Sequence, residues 1–174
     1  MFLRVIAIVW TLNAALLRFV APALLAAAAV AVGFALAAAY WRGERTEAAP
    51  ETKLRNPFQF WSVLGFALFL SAIILGGRTL GETAGAAGTL LGAAIVGVAD
   101  VDAITVAVAR LAPTPLSLDS AALAILVAAA TNTLSKVAIG SVVGRGGFAV
   151  AIAGMALASL AAGGAALWLT FRLA

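Results

Sequence analysis

The chain reads as an all-α, polytopic transmembrane helical bundle, and three observations point there. Of its 174 residues 64% are hydrophobic and only 10% charged, whereas a surface facing water uses roughly 25% charged residues. Long runs carry no charged residue, 23 residues from Phe19 to Trp41 and 26 from Gly146 to Phe171, and a spanning helix needs about 20. The basic residues fall singly between these runs, where they anchor a helix at the membrane surface. That scatter argues against nucleic acid as a partner, despite a formal charge of +4. Cysteine and histidine are absent, which excludes disulfides, thiol or imidazole catalysis and the usual zinc and haem sites. A soluble enzyme is excluded, no resident cofactor is expected, and the lipid bilayer is the first partner.

In chain order, residues 1–18 form an apolar segment with a polar stripe. Arg4, Thr11 and Arg18 recur every seven residues on one helix face, so the segment is expected as an interfacial or tilted helix. Residues 19–41 make the first span, closed by Tyr40 and Trp41 at the headgroup level. Residues 42–56 hold Arg42, Glu44, Arg45, Glu47, Glu51, Lys53 and Arg55 and read as a polar loop. Pro57 opens a second span over 58–77, at a position where a missing N–H does no harm.

Thr79-Leu80-Gly81-Glu82 has the form of a capping box before a third span over 84–110. Pro113 and Pro115 end that segment, and Ser117 or Asp119 can cap the fourth span, 120–144. A fifth span covers 146–171, giving about five in all. Gly81, just before the third span, and Gly85, Gly88 and Gly92 within it step at spacings that let helices approach closely. Five glycine-lined helices enclose little space, so a homo-oligomer is expected, most simply a dimer. With the 42–56 loop in the cytoplasm, six basic residues (Arg42, Arg45, Lys53, Arg55, Arg110, Arg172) lie inside and four (Arg4, Arg18, Arg78, Arg145) outside.

Chemistry concentrates where polar groups interrupt apolar helices. Asp100, Asp102 and Lys136 stand in spanning segments, where an ionisable residue costs about 2.5–3.5 kcal/mol to insert and so calls for partners or water. Asp100 is ten residues from Arg110, about 15 Å along a helix. Asn132 is twelve from Ser120, about 18 Å. Both groups therefore fall near mid-depth on antiparallel neighbours, with Lys136 leaning toward them. Asp100 and Asp102 diverge by about 200° on a straight helix. Sharing one site requires a helix break near Gly97–Asp102, a device by which transporters expose carbonyls and helix ends to an ion. Asp102 and Thr105 are echoed thirty residues on by Asn132 and Ser135, each pair on one helix face. The plainer alternative is a structural pair in which Lys136 neutralises an aspartate. An intramembrane aspartyl protease fits poorly, because its two aspartates must meet in space rather than sit two apart on one segment.

The residues Asn56-Pro57-Phe58, the stretch Gly97 to Thr105 containing Asp100-Val101-Asp102-Ala103-Ile104-Thr105, and Asn132 with Lys136 together resemble the C-terminal membrane domain of MgtC/SapB-type proteins. That domain is itself of unknown function. The likeness covers nearly the whole chain. Two departures stand out: these 174 residues do not include the MgtC-like half expected before such a domain, and a serine expected shortly after the threonine is Ala107. The resemblance implies an association with magnesium homeostasis and, as a partner, an MgtC-like membrane protein.

Together these observations lead to the expectation of a multi-pass inner-membrane ion transporter or channel for a divalent cation such as magnesium, not an enzyme. The ion would pass Asp100, Asp102, Thr105, Asn132, Ser135 and Lys136. Asp100, Asp102 and Asn132 would supply oxygen ligands of the kind a hard metal cation takes, and Lys136 would occupy the site when the ion leaves. The alternatives are a non-transporting accessory or oligomerising domain, and a transporter of an organic solute or anion drawn in by Lys136.

Overall fold

A computed structural model describes residues 1–42, 85–144 and 146–173, with six further helical positions at 64, 65, 68, 71, 72 and 75. The elements are α1 (Phe2–Leu12), a 3-10 turn (Ala14–Leu16), α2 (Leu17–Arg42), α3 (Gly85–Ala99), α4 (Val101–Leu111), α5 (Leu118–Gly144) and α6 (Gly146–Leu173). The described residues are all-helical apart from their connections, and three stretches are long and apolar enough to cross a membrane: Ala14–Tyr40, Leu118–Gly144 and Gly146–Leu173.

Five spans are not what these residues form. The expected third span is divided at Asp100 into helices of 15 and 11 residues, about 22 and 16 Å long, each short of the roughly 30 Å hydrocarbon layer. The expected span over 58–77, the polar loop over 43–56 and the capping box at Thr79–Glu82 lie outside the described residues, apart from the six positions above. The single helix expected over 1–18 is interrupted too. Asn13 leaves helical geometry at φ −156°, ψ 88°, and α2 starts at Leu17.

Contacts along the chain set the helix directions. Arg4 meets Asp102, and the Asn13 amide donates to the carbonyls of Ala109 at 3.4 Å and Ala112 at 2.9 Å. α1 and α4 therefore lie side by side and run the same way. Phe19 stacks on Phe171 with centroids 5.7 Å apart, and the Cα of Gly163 faces Ala23, so α2 and α6 are antiparallel. α5 and α6 follow one another through Arg145, with Gly140 against Ile152. α2 and α5 then share a direction. The result is two helical hairpins with the same build: an 11-residue helix, a short turn and a long helix of 26 or 27 residues. They meet through α1 and α4.

The core between them is made of small residues. Ala121, Ala122, Ala124, Ile125, Ala128 and Ala129 of α5 are buried with Val5 and Val9 of α1 and Val101 and Val108 of α4. Alanine at the contact lets backbones approach where no difference in hydrophobicity between lipid and protein holds them together. Ser117 starts α5, its hydroxyl accepting from the Ser120 amide at 3.2 Å, which satisfies one of the free donors at the helix start.

The same directions overturn the expected orientation count. Arg18, Arg110 and Arg172 gather at one end of the bundle, where the Arg18 guanidinium lies 4.6 Å from the Phe19 ring and that of Arg172 lies 4.2 Å from Trp168. Arg42, at the far end of α2, is on the opposite side, because α2 and α6 are antiparallel. Grouping Arg42 with Arg110 and Arg172 while placing Arg18 across the membrane is therefore incorrect.

Asn13 gives a direct test of the hairpin junction. Asn13→Ala leaves the Ala112 carbonyl at the end of α4 without its donor, and is expected to destabilise the protein by about 1–2 kcal/mol. The check is the midpoint of unfolding in mild detergent compared with wild type.

Candidate functional site

The break between α3 and α4 is a single extended residue. Asp100 has φ −148° and ψ 106°, and its Oδ1 accepts from the amides of Asp102 at 2.9 Å and Ala103 at 3.3 Å. A carboxylate on these amides also faces the positive end of the α4 dipole. The sequence needed a break for the two aspartates to share a site, and the backbone supplies one. Its position is Asp100 itself. That lies within the expected stretch Gly97–Asp102, and Gly97 itself stays helical.

Gly97 serves close packing instead. A Cβ there would lie 2.6 Å from the Ala128 Cα, 2.6 Å from Thr131 Oγ1 and 2.7 Å from the Ala128 carbonyl oxygen. Only glycine lets α3 come this near α5. The approach brings Asn132 within reach: its Nδ2 donates to the Gly97 carbonyl at 2.9 Å, a buried bond that closes the C-terminal end of α3. Asn132 is 4% exposed, and its Oδ1 meets no donor.

Asp102 sits in the first turn of α4 with Oδ2 at 2.6 Å from Arg4 Nη2, while its Oδ1 is buried and has no donor. Two acceptor oxygens without donors thus flank the helix break, beside the last carbonyls of α3. Asn132 stands 14 residues after Leu118 in a 27-residue helix, about 21 Å in, which is near mid-depth.

The expected site residues divide. Asp100, Asp102 and Asn132 come to one region. Thr105 is fully buried, and its hydroxyl donates to the Val101 carbonyl of its own helix at 2.7 Å. Ser135 is half-buried further along α5. Lys136 does not turn to the aspartates: it is exposed, and its ammonium lies 3.7 Å from Met1 Sδ. The cation paired with Asp102 is Arg4. Arg4 comes from the polar stripe read as an interfacial face, 98 positions away, and only the parallel packing of α1 and α4 brings it there. For a metal, Asp100 already spends one carboxylate oxygen as a cap. No group of three or more Asp, Glu, His or Cys able to hold a metal occurs among the described residues.

The glycine row divides as well. Gly88 and Gly92 are buried on α3, so they pack within the chain. Gly85 is exposed at φ +58° with nothing within 4 Å of an added Cβ. It is a left-handed helix start, and among the described residues it makes no packing contact within the chain. Gly81 lies outside the described residues.

A separate cavity of about 240 Å³ opens between α2, α5 and α6, lined by Leu24, Leu123, Leu126, Val127, Leu160 and Leu167 among others. Its lining includes none of Asp100, Asp102 and Asn132. Ser159, 2% exposed, is its polar lining residue, with a hydroxyl that meets no partner.

Among known proteins, a family model described as a domain of unknown function (DUF4010) matches residues 1–144. No curated protein and no solved structure matches the chain.

Proposed function

The chain belongs to the DUF4010 family, a domain of unknown function, and on that footing we propose that it translocates a cation across the membrane through the polar centre at the α3–α4 break. The observation that carries this reading is the pair of buried oxygens without donors, Asp102 Oδ1 and Asn132 Oδ1. A buried acceptor left unpaired costs about 1–3 kcal/mol, and a cation is the ligand that two acceptors and a helix C-terminus attract. Oxygen donors suit a hard ion. Magnesium, which the MgtC/SapB resemblance implies, is the first ion to test, with Asp100, Asp102 and Asn132 facing it.

An anion would favour the parallel N-termini of α1 and α4. Asp100 and Asp102 already stand at the start of α4, which makes this second reading the weaker one. The test is flux of magnesium, calcium, manganese, sodium, potassium and protons into liposomes carrying the purified protein. No flux of any of them would favour the accessory-domain reading.

The same reading includes a multi-pass inner-membrane location and assembly into a homo-oligomer, with an MgtC-like protein as a further partner. Large apolar side chains such as Phe34 and Leu36 of α2, Val142 and Val143 of α5 and Val150 of α6 are exposed at one end of the described bundle, and they offer surface to lipid or to a second copy. Mass measurement in mild detergent and in nanodiscs is expected to give more than one copy. A monomer in both would remove assembly from the proposal.

A further inference from the structure

Arg4 has no task in the transport reading as it stands. Its guanidinium lies 2.6 Å from Asp102 Oδ2, and the two side chains differ sharply in exposure, 63% for Arg4 against 26% for Asp102. Here the carboxylate is held and the cation is loose. α1 does not depend on the pair for its place: Val5 and Val9 are fully buried in the core, and Asn13 ties its other end to Ala112. Arg4 can therefore swing away while α1 stays. An exposed guanidinium near mid-depth also needs water or a counter-charge within reach.

We propose that Arg4 is a tethered cation that holds Asp102 while no ion is bound, and that the arriving cation displaces it. This deepens the transport reading and rests on it for the identity of the site. Asp102 carries one negative charge, and a guanidinium and a metal ion repel each other when both sit on one carboxylate. Binding thus requires Arg4 to leave, and its return helps expel the ion. Arg4 is in this sense a positioning residue that sets how tightly the site holds a cation. The sequence assigned that part to Lys136, whose ammonium reaches Met1 instead.

The experiment measures manganese(II) binding by electron paramagnetic resonance to the purified protein in nanodiscs, alongside flux in liposomes. Arg4→Gln is expected to bind manganese about tenfold more tightly than wild type, the effect of removing one competing charge. It should also reach half-maximal flux at a lower ion concentration with a lower maximal rate, because release slows. Arg4→Lys, which keeps the charge on a shorter donor set, should fall between the two. Adding Asp102→Asn to Arg4→Gln should abolish binding, and Arg18→Gln, at the far end of the bundle, should leave it unchanged. Equal or weaker manganese binding by a folded Arg4→Gln protein overturns the inference. If Arg4→Gln does not fold, a folded Arg4→Met protein, which also removes the charge, with wild-type or weaker affinity overturns it equally. Tight manganese binding by Arg4→Gln with no wild-type flux of any ion would sink the transport reading and leave the tethered cation standing. No binding by any variant would sink both.

Discussion

Asp102→Asn is expected to reduce ion flux to the liposome background while the protein still inserts and elutes as wild type does. Asp102 is the carboxylate at the centre with a buried oxygen that meets no donor, and its charge offsets the cost of stripping water from a cation at mid-depth. An amide of the same shape keeps an oxygen but not the charge. The substitution also leaves Arg4 without its counter-ion. Val5 and Val9 stay buried and Asn13 still ties α1 to Ala112, so α1 keeps its place, and wild-type elution separates loss of flux from loss of structure. Asp119→Asn, exposed in the first turn of α5, serves as the control with unchanged flux. Wild-type flux from Asp102→Asn at matched protein levels removes Asp102 from the pathway.

Gly97→Ala is expected to be the most damaging single-methyl change in the described bundle. The new Cβ would lie 2.6 Å from the Ala128 Cα and 2.7 Å from its carbonyl oxygen. Those are backbone atoms, which cannot rotate aside as the end of a side chain can. α3 must then move off α5, at a cost of about 1–3 kcal/mol for overpacking. The shift also stretches the bond from Asn132 to the Gly97 carbonyl, so flux should fall together with stability. Gly33→Ala is the matching control. Nothing lies within 4 Å of a Cβ at Gly33, and alanine in a helix interior gains about 0.5–1 kcal/mol over glycine. Thermal unfolding of the two variants in one detergent should move in opposite directions, and a Gly97→Ala protein as stable as wild type would contradict the close α3–α5 contact.

Much of the site could be read before any coordinates because its signals are local. Charged residues within apolar runs mark themselves by cost alone, and two aspartates two apart cannot share a face unless the helix breaks. Both arguments use only residues within one segment. The parts that were misread depend on where a side chain finds its partner. Lys136 is three residues from Thr133 on a helix aimed at the right depth, yet the direction it points is fixed by how α5 rotates against α3 and α1. Asn13 reads as a polar interruption in an apolar helix. Its role, closing the C-terminal end of α4, appears only once α1 lies beside α4. Gly97 was legible as a special position. Whether its missing side chain serves a bend or a close approach depends on the neighbouring helix.

Composition and hydropathy are enough to set the solvent, the helical class, the long runs that form α2, α5 and α6, and the polar interruptions that form the candidate site. Each follows from hydropathy and from the need of every backbone N–H and C=O for a partner in lipid. Helix packing is what makes Asp100 separate two short helices, sets α1 beside α4 with Arg4 on Asp102, and brings Arg18 to the same end as Arg172. In lipid the apolar faces of these helices are nearly interchangeable. What selects one arrangement is the fit of small residues such as Gly97 against Ala128 and the few buried hydrogen bonds, Asn132 to Gly97 and Asn13 to Ala112. Such pairings join positions dozens of residues apart and leave no periodic trace in the chain.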